Sequence, residues 1–119
     1  MSQDLPAAFA ALKTLLASYA HGRHVVHDEI AHYYLNSARI DVKGKPVFFG
    51  AVKISAGKVV FHLMPVYEFP ALLDGISSDL KKRMQGKSCF NFKVPDVAMM
   101  EELGALIDAC ANADTGAKL

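Results

Sequence analysis

Histidine and cysteine side chains are the groups in this sequence whose types and spacing could do chemistry. His62 lies within an apolar run, and Cys89 lies in a later apolar segment that could pair beside it in a sheet. An imidazole next to a thiol is an arrangement used in nucleophilic catalysis. Catalysis also requires a group that orients the imidazole and donors that stabilise an oxyanion, and no motif supplies either. We therefore predict a structural histidine, assign no catalytic residue and no cofactor, and keep an enzyme that uses His62 and Cys89 as an alternative.

A second group of potential ligands surrounds His24 and His27, which are followed directly by Asp28 and Glu29 and, slightly later, by His32. Imidazole and carboxylate groups are common ligands of transition metals. A spacing of three places two side chains on one face of a helix but on opposite faces of a strand. Because two β-branched valines separate the histidines and favour a strand, we predict ordinary surface histidines. A metal site of His24, His27, Asp28 and Glu29 is the alternative.

The charge balance argues against nucleic acid as a partner. Thirteen basic and twelve acidic residues leave a formal charge of +1, so no strong field steers the chain towards phosphates. Residues 81–87 form a local basic run, but Gly86-Lys87-Ser88 lacks the upstream glycine-rich loop of a phosphate-binding motif. We interpret the run as a solvated helix end in which basic groups complement the helix dipole.

Composition and cysteine spacing predict one cytoplasmic domain. The 119 residues, 52% of them hydrophobic, suffice for a single core, and residues 114–119 are expected to fray. Cys89 and Cys110 show no CxxC spacing, so we predict two free thiols in a reducing compartment. No apolar run approaches the roughly 18 residues of a membrane span, and the first ten residues do not resemble a secretory signal.

Hydrophobic periodicity predicts an α+β fold that would position these groups. The element order is α-β-β-β-β-α-α-β-α, with an antiparallel meander sheet of about five strands and helices mainly on one face. The predicted central strands span 47–54 and 59–64, and a short helix is predicted over 79–85. Residues 88–93 alternate strictly between apolar and polar side chains, and a last helix follows from Pro95.

The hairpin over residues 45–65 is apolar on both of its predicted faces. Strict alternation would place Phe48 and Val52 on one face and Phe49, Ala51 and Lys53 on the other. Helices can bury only one face, so we expect the second face to be covered by another segment of the chain, by a second subunit in a homodimer, or by a small ligand in an apolar groove.

We therefore predict a non-catalytic domain that binds a partner, or itself, through this second face. The binding residues predicted from the pattern are Phe49, Lys53, His62, Met64, Tyr67 and Lys87.

Three segments carry a family resemblance: 45–51 (KPVFFGA), 61–67 (FHLMPVY) and 85–92 (QGKSCFNF). In their order and composition they resemble the YdhG-like family of small bacterial domains of unknown function. That family has two apolar strands ending near a proline, a helical segment, a Gly-Lys pair with a short strand, and a closing helix. The likeness extends over about residues 34–107, and it implies a single YdhG-like domain, 1–119, rather than a particular activity.

One branch of that family has been linked to intracellular iron delivery by analogy with frataxin. The resemblance therefore implies an intracellular iron or metal carrier as an alternative function. Frataxin-type iron binding uses an acidic ridge along the first helix and the neighbouring strand. Here the first predicted helix carries only Asp4, at its start, and holds Lys13 in its body. The ridge does not carry over residue by residue.

Overall fold

The computed structural model describes residues 4–114, which form an open six-stranded antiparallel sheet with helices packed against one face. The predicted α+β class is confirmed. In chain order the elements are α1 (Leu5–Ala17), β1 (His24–Glu29), β2 (His32–Ile40), β3 (Pro46–Ser55), β4 (Lys58–Leu63), α2 (Met64–Glu68), a 3-10 turn (Pro70–Leu73), α3 (Ser78–Lys81), β5 (Met84–Gln85), β6 (Cys89–Phe92) and α4 (Val97–Asp114).

The strand order is β1-β2-β3-β4-β6-β5, and every neighbouring pair is antiparallel. The first four strands form the predicted meander. The chain then leaves the sheet through α2, the 3-10 turn and α3, and it returns as the hairpin of β5 and β6. The helix predicted over 79–85 is wrong at its end, because Met84 and Gln85 pair with β6 across a turn in which Gly86 has a φ of +82°.

The core lies between the helices and one face of the sheet, which we call the inner face. Four residues of α1 are buried at helical spacing: Ala8, Phe9, Leu12 and Leu16. The strands contribute alternate side chains, among them Leu35, Val52, Phe61, Leu63, Phe90 and Phe92, and α4 contributes Leu103, Leu106, Ile107 and Cys110. Burial of each large side chain contributes roughly 1.5–3 kcal/mol, which makes this layer the main source of stability.

A β-bulge in β3 changes the predicted assignment of residues to faces. Asn36 lies opposite Phe48 and Leu35 lies opposite Gly50, so Phe49 is an additional residue without a partner on β2. As a result Phe49 is 0% exposed in the core, where Arg23 lies 4.3 Å above its ring. The expectation that Phe49 lies on the second face is therefore wrong, and Phe48 takes that place.

A buried carboxylate ties the end of α4 to the sheet. Asp114 is 2% exposed and accepts a hydrogen bond from Arg23 Nε at 2.9 Å, while Arg39 Nη2 donates to it at 3.1 Å. Arg39 also donates to Glu68 at 3.1 Å, so the charges form a connected network. The expected frayed tail is wrong at Asp114, which ends the helix; residues 115–119 lie outside the described residues.

Two further sequence predictions concern the cysteines and the membrane. Cys89 and Cys110 are both free thiols in the structure, one half-buried and the other buried. Within residues 4–114, no helix has the length and apolar character needed to cross a membrane.

Candidate functional site

The face of the sheet opposite the helices, here called the outer face, carries two rows of side chains that cross several strands. Register places the first row directly side by side from β1 to β6: His27, Tyr34, Ala51, His62 and Cys89. The second row runs parallel to it: Glu29, His32, Lys53, Val60 and Asn91. Directly opposed residues in antiparallel strands lie close enough to interact, so the rows bring distant parts of the chain together.

A groove forms where the first row contains its smallest side chain. Ala51 lies between Tyr34 and His62, and its methyl group leaves the space that a larger side chain would fill. The groove has a volume of about 440 Å³, which lies within the usual range for small-molecule sites. The residues that line it are His32, Tyr34, Phe48, Ala51, Lys53, Ser55, Val60 and His62.

Aromatic and imidazole rings form a continuous ladder along this face. The rings of Tyr34 and Phe48 have centroids 4.7 Å apart, and Phe48 meets His62 edge-on at 4.9 Å. At the other end His27 stacks on His32 at 4.7 Å, and Tyr34 meets both imidazoles edge-on. These separations are those of favourable ring pairs, so each ring holds its neighbour in place.

His62 is anchored by a residue that the sequence argument did not select. Its Nε2 and the Ser88 hydroxyl oxygen are joined by a 2.6 Å hydrogen bond. Burial lowers the pKa of His62 below its usual value of 6.5, so the ring is neutral at neutral pH. The hydrogen bond fixes the ring orientation towards the groove, and no motif in the sequence could have identified Ser88 as its partner.

The predicted neighbour Cys89 does share the outer face with His62, since the two residues are opposite each other in β4 and β6. Burial raises the pKa of the Cys89 thiol, and a hydrogen bond with Ser88 opposes this effect only in part. A raised thiol pKa and a lowered imidazole pKa both disfavour a thiolate–imidazolium pair. This pair therefore lacks the electrostatics of an activated nucleophile.

The six predicted binding residues fall into three places. Lys53 and His62 line the groove, whereas Phe49 is in the core. Tyr67 and Lys87 line a separate cavity of about 460 Å³ beside α2, and Met64 is half-buried at the first position of that helix. Tyr34, Phe48 and Ala51 were not among the predicted binding residues. Phe48 was missed because strict alternation over β3 assigned the two phenylalanines to the wrong faces.

The four predicted metal ligands are likewise divided. Asp28 points to the inner side, where it forms an ion pair with Lys13 at 2.6 Å. His24 lies at the start of β1, opposite Asn36 and three residues before His27. His27 and Glu29 do come together, and the third member of their cluster is His32: one potential ligand atom from each residue lies within 4.8 Å of the others.

Comparison with known proteins found no matching family model, no similar curated protein and no similar solved structure. The resemblance to YdhG-like domains stays a prediction.

Proposed function

We propose that this protein is a non-catalytic binding domain of the cytoplasm whose site is the groove on the outer face of the sheet. The observation that carries the proposal is the gap above Ala51, bounded by Tyr34, Phe48 and His62. Apolar concave surfaces with a few convergent polar groups are the usual form of small-molecule sites. The two free cysteines are consistent with a reducing compartment.

The walls of the groove favour a flat, aromatic ligand. Tyr34 and Phe48 present ring surfaces that already pack against each other and against His62. A planar ligand can extend this ladder of rings, and each additional ring pair contributes about 0.5–1.5 kcal/mol beyond the area that it buries. Because the neighbouring rings hold these walls in position, a ligand loses less free energy in ordering them.

The charge at the rim favours a negatively charged ligand. Lys53 is the charged residue among those that line the groove, and the described lining includes no carboxylate. His32 and His62 add polar nitrogen atoms. Burial is the largest cause that lowers the pKa of each of them. The ligand class proposed is therefore a planar, anionic small molecule that stacks on the rings and pairs with Lys53.

The other functions suggested by the sequence receive less support from the geometry. An enzyme based on His62 and Cys89 would need a thiol of lowered pKa, whereas burial raises that of Cys89. A frataxin-like carrier would need an acidic first helix, but α1 contains no carboxylate and its Lys13 pairs with Asp28. Sedimentation equilibrium distinguishes a homodimer through the same face from a small-molecule site.

The proposal is tested by titrating the chain with 8-anilinonaphthalene-1-sulfonate, a planar anionic aromatic probe, and following its fluorescence. We expect saturable binding that Phe48→Ala weakens about tenfold, because a stacking surface is worth roughly 1–3 kcal/mol. Lys53→Gln should weaken binding of the sulfonate probe more than binding of N-phenyl-1-naphthylamine, which has the same rings without the charge. Tyr67→Ala, at the separate cavity beside α2, is the matched control and should leave binding unchanged.

Two results would contradict the proposal. One is loss of binding in Tyr67→Ala with full binding in Phe48→Ala, which would place the site beside α2. The other is a concentration-dependent dimer in sedimentation equilibrium that Phe48→Asp abolishes, which would make a second copy the occupant of this face. Circular dichroism of each variant shows whether the fold is retained, so loss of structure is recognised separately.

A further inference from the structure

We propose that His27, Glu29 and His32 form a binding site for a divalent transition-metal ion at the β1–β2 end of the outer face. One potential ligand atom from each side chain lies within 4.8 Å of the other two. Two imidazoles and a carboxylate are a donor set found in metal sites that keep an open coordination position. The inference goes beyond the proposed ligand groove and does not depend on it.

The register of the first two strands builds the cluster. Glu29 lies directly opposite His32, and the strands join through a turn at Ile30 and Ala31. His27 is two residues before Glu29, and residues two apart project from the same face of a strand. The three side chains therefore start from adjacent positions on one surface, and the short connection between the strands keeps them there.

Tyr34 supports the two imidazoles as a pair. Its ring meets His27 edge-on at 5.8 Å and His32 edge-on at 5.9 Å, while the imidazoles stack with planes 20° apart. Glu29 Oε2 is already 3.1 Å from His27 Nδ1. Metal sites gain affinity when neighbouring groups orient the ligands in this way.

Only small side-chain movements separate this arrangement from a coordinated ion. Zinc bonds of about 2.0–2.1 Å in tetrahedral geometry place neighbouring ligand atoms about 3.3 Å apart. The most distant atoms of the cluster must therefore approach each other by about 1.5 Å at most. The side chain of Glu29 is 62% exposed, so rotation about its side-chain bonds meets little resistance from packing.

The donor set also defines the class of ion. Imidazole suits zinc, cobalt, nickel and copper, whereas calcium and magnesium prefer sites made entirely of oxygen ligands. Glu29 offsets part of the charge of the ion. Lys53 lies opposite His32 and opposes binding electrostatically, but its exposed ammonium group can extend into solvent.

The experiment is calorimetric titration of the untagged, reduced chain with zinc chloride. We expect one zinc ion per chain, and His27→Ala or His32→Ala should weaken binding about tenfold or more. Glu29→Gln, which keeps the shape but loses the charge, should weaken binding less than either histidine replacement. Calcium chloride at the same concentrations should give no binding heat.

Two variants serve as matched controls. His24→Ala removes an exposed histidine of the same strand, and Cys89→Ser removes a thiol of the same face; both should bind zinc as the natural chain does. A cobalt(II) absorption band that disappears in His32→Ala would give a second readout of coordination. The proposal is overturned if zinc does not bind, or if His24→Ala or Cys89→Ser reduces binding as much as His32→Ala. Phe48→Ala should retain zinc binding, so failure of the groove and failure of the metal site are distinguishable.

Discussion

The inner and outer faces of the sheet differ in how far their side chains are buried. On the inner face the large apolar residues are fully buried, and the buried carboxylate of Asp114 is paired with two guanidinium groups. On the outer face the rings of Tyr34, Phe48 and His62 remain partly exposed and contact one another, and no helix within residues 4–114 lies above them. The hydrophobic core therefore lies on the inner face, and the groove lies on the outer face.

Two β-bulges, one on either side of β2, decide which residues of β1 and β3 lie on the outer face. In β1 the bulge at Val26 falls next to the pairing of Val25 with Leu35, and in β3 the bulge at Phe49 falls between the partners of Leu35 and Asn36. Each bulge inserts one residue and so reverses the alternation of faces beyond it. His27 reaches the outer face because of the first bulge, and Phe48 does so because of the second.

Replacement of two neighbouring phenylalanines should give the largest difference in stability between the two faces. Phe49→Ala removes a fully buried ring beneath Arg23 and should destabilise the fold by about 3–5 kcal/mol. Phe48→Ala, one residue earlier, removes a half-buried ring from the ladder and should cost about 1 kcal/mol. Urea unfolding followed by circular dichroism measures both values. Equal losses in the two variants would contradict the assignment of these residues to different faces.

Removal of the buried carboxylate of Asp114 should destabilise the fold nearly as much. Asp114→Ala leaves Arg23, whose side chain is 10% exposed, without its carboxylate and should cost about 3 kcal/mol. Asp108→Asn on the same helix is the control, because its amide oxygen can still accept the hydrogen bond from Tyr19 and the site is exposed. Thermal unfolding of both variants tests this, and similar midpoints would show that the buried network contributes little.

A methyl group added at Gly50, on the inner face, should destabilise the fold moderately. A Cβ at Gly50 would lie 3.1 Å from both His62 O and Leu16 Cδ1, so Gly50→Ala should destabilise the fold by about 1–3 kcal/mol. Gly75→Ala is the matched control, since its Cβ would meet no atom within 4 Å. The comparison of denaturant midpoints should place Gly50→Ala well below Gly75→Ala. If the two midpoints coincide, α1 is less tightly packed on β3 than the structure indicates.

The smallest expected effect is a pH dependence that comes from the outer face. Burial lowers the pKa of His62 in the folded state, so the unfolded chain binds the proton more tightly. The contribution of His62 to stability is therefore fully present above its usual pKa of 6.5, and it is lost as the pH falls through the folded-state pKa. Urea unfolding between pH 8 and pH 5 should show this decline, and His62→Gln should reduce it.

Much of the fold was predictable from local patterns. The stripe of α1, the alternation of β6 and the turns with positive-φ glycines each carry a short-range signal, so the element order was predicted nearly completely. The helix α2 was missed because Met64 was assigned to the preceding strand, and the strand β5 was missed because two residues are too few to show a period. Its pairing with β6 depends on the hairpin rather than on its own composition.

The candidate site was predictable only in part. The pattern correctly suggested that β3 and β4 carry apolar groups on both faces, and it selected Lys53 and His62. It could not reveal which phenylalanine faces outward, because a bulge leaves no distinct mark in the residue types of β3. The contact between His62 and Ser88 was also hidden, since 26 residues separate them and only the pairing of β4 with β6 brings them together.

The sequence by itself determined the class of the fold, the apolar stripe of the first helix and the excess of apolar groups on the central hairpin, because these follow from periodicity within one element. Tertiary structure alone decided the composition of the outer face. Strand register and two bulges select which side chains from distant segments become neighbours, so the groove around Ala51 and the cluster of His27, Glu29 and His32 exist only in the assembled sheet.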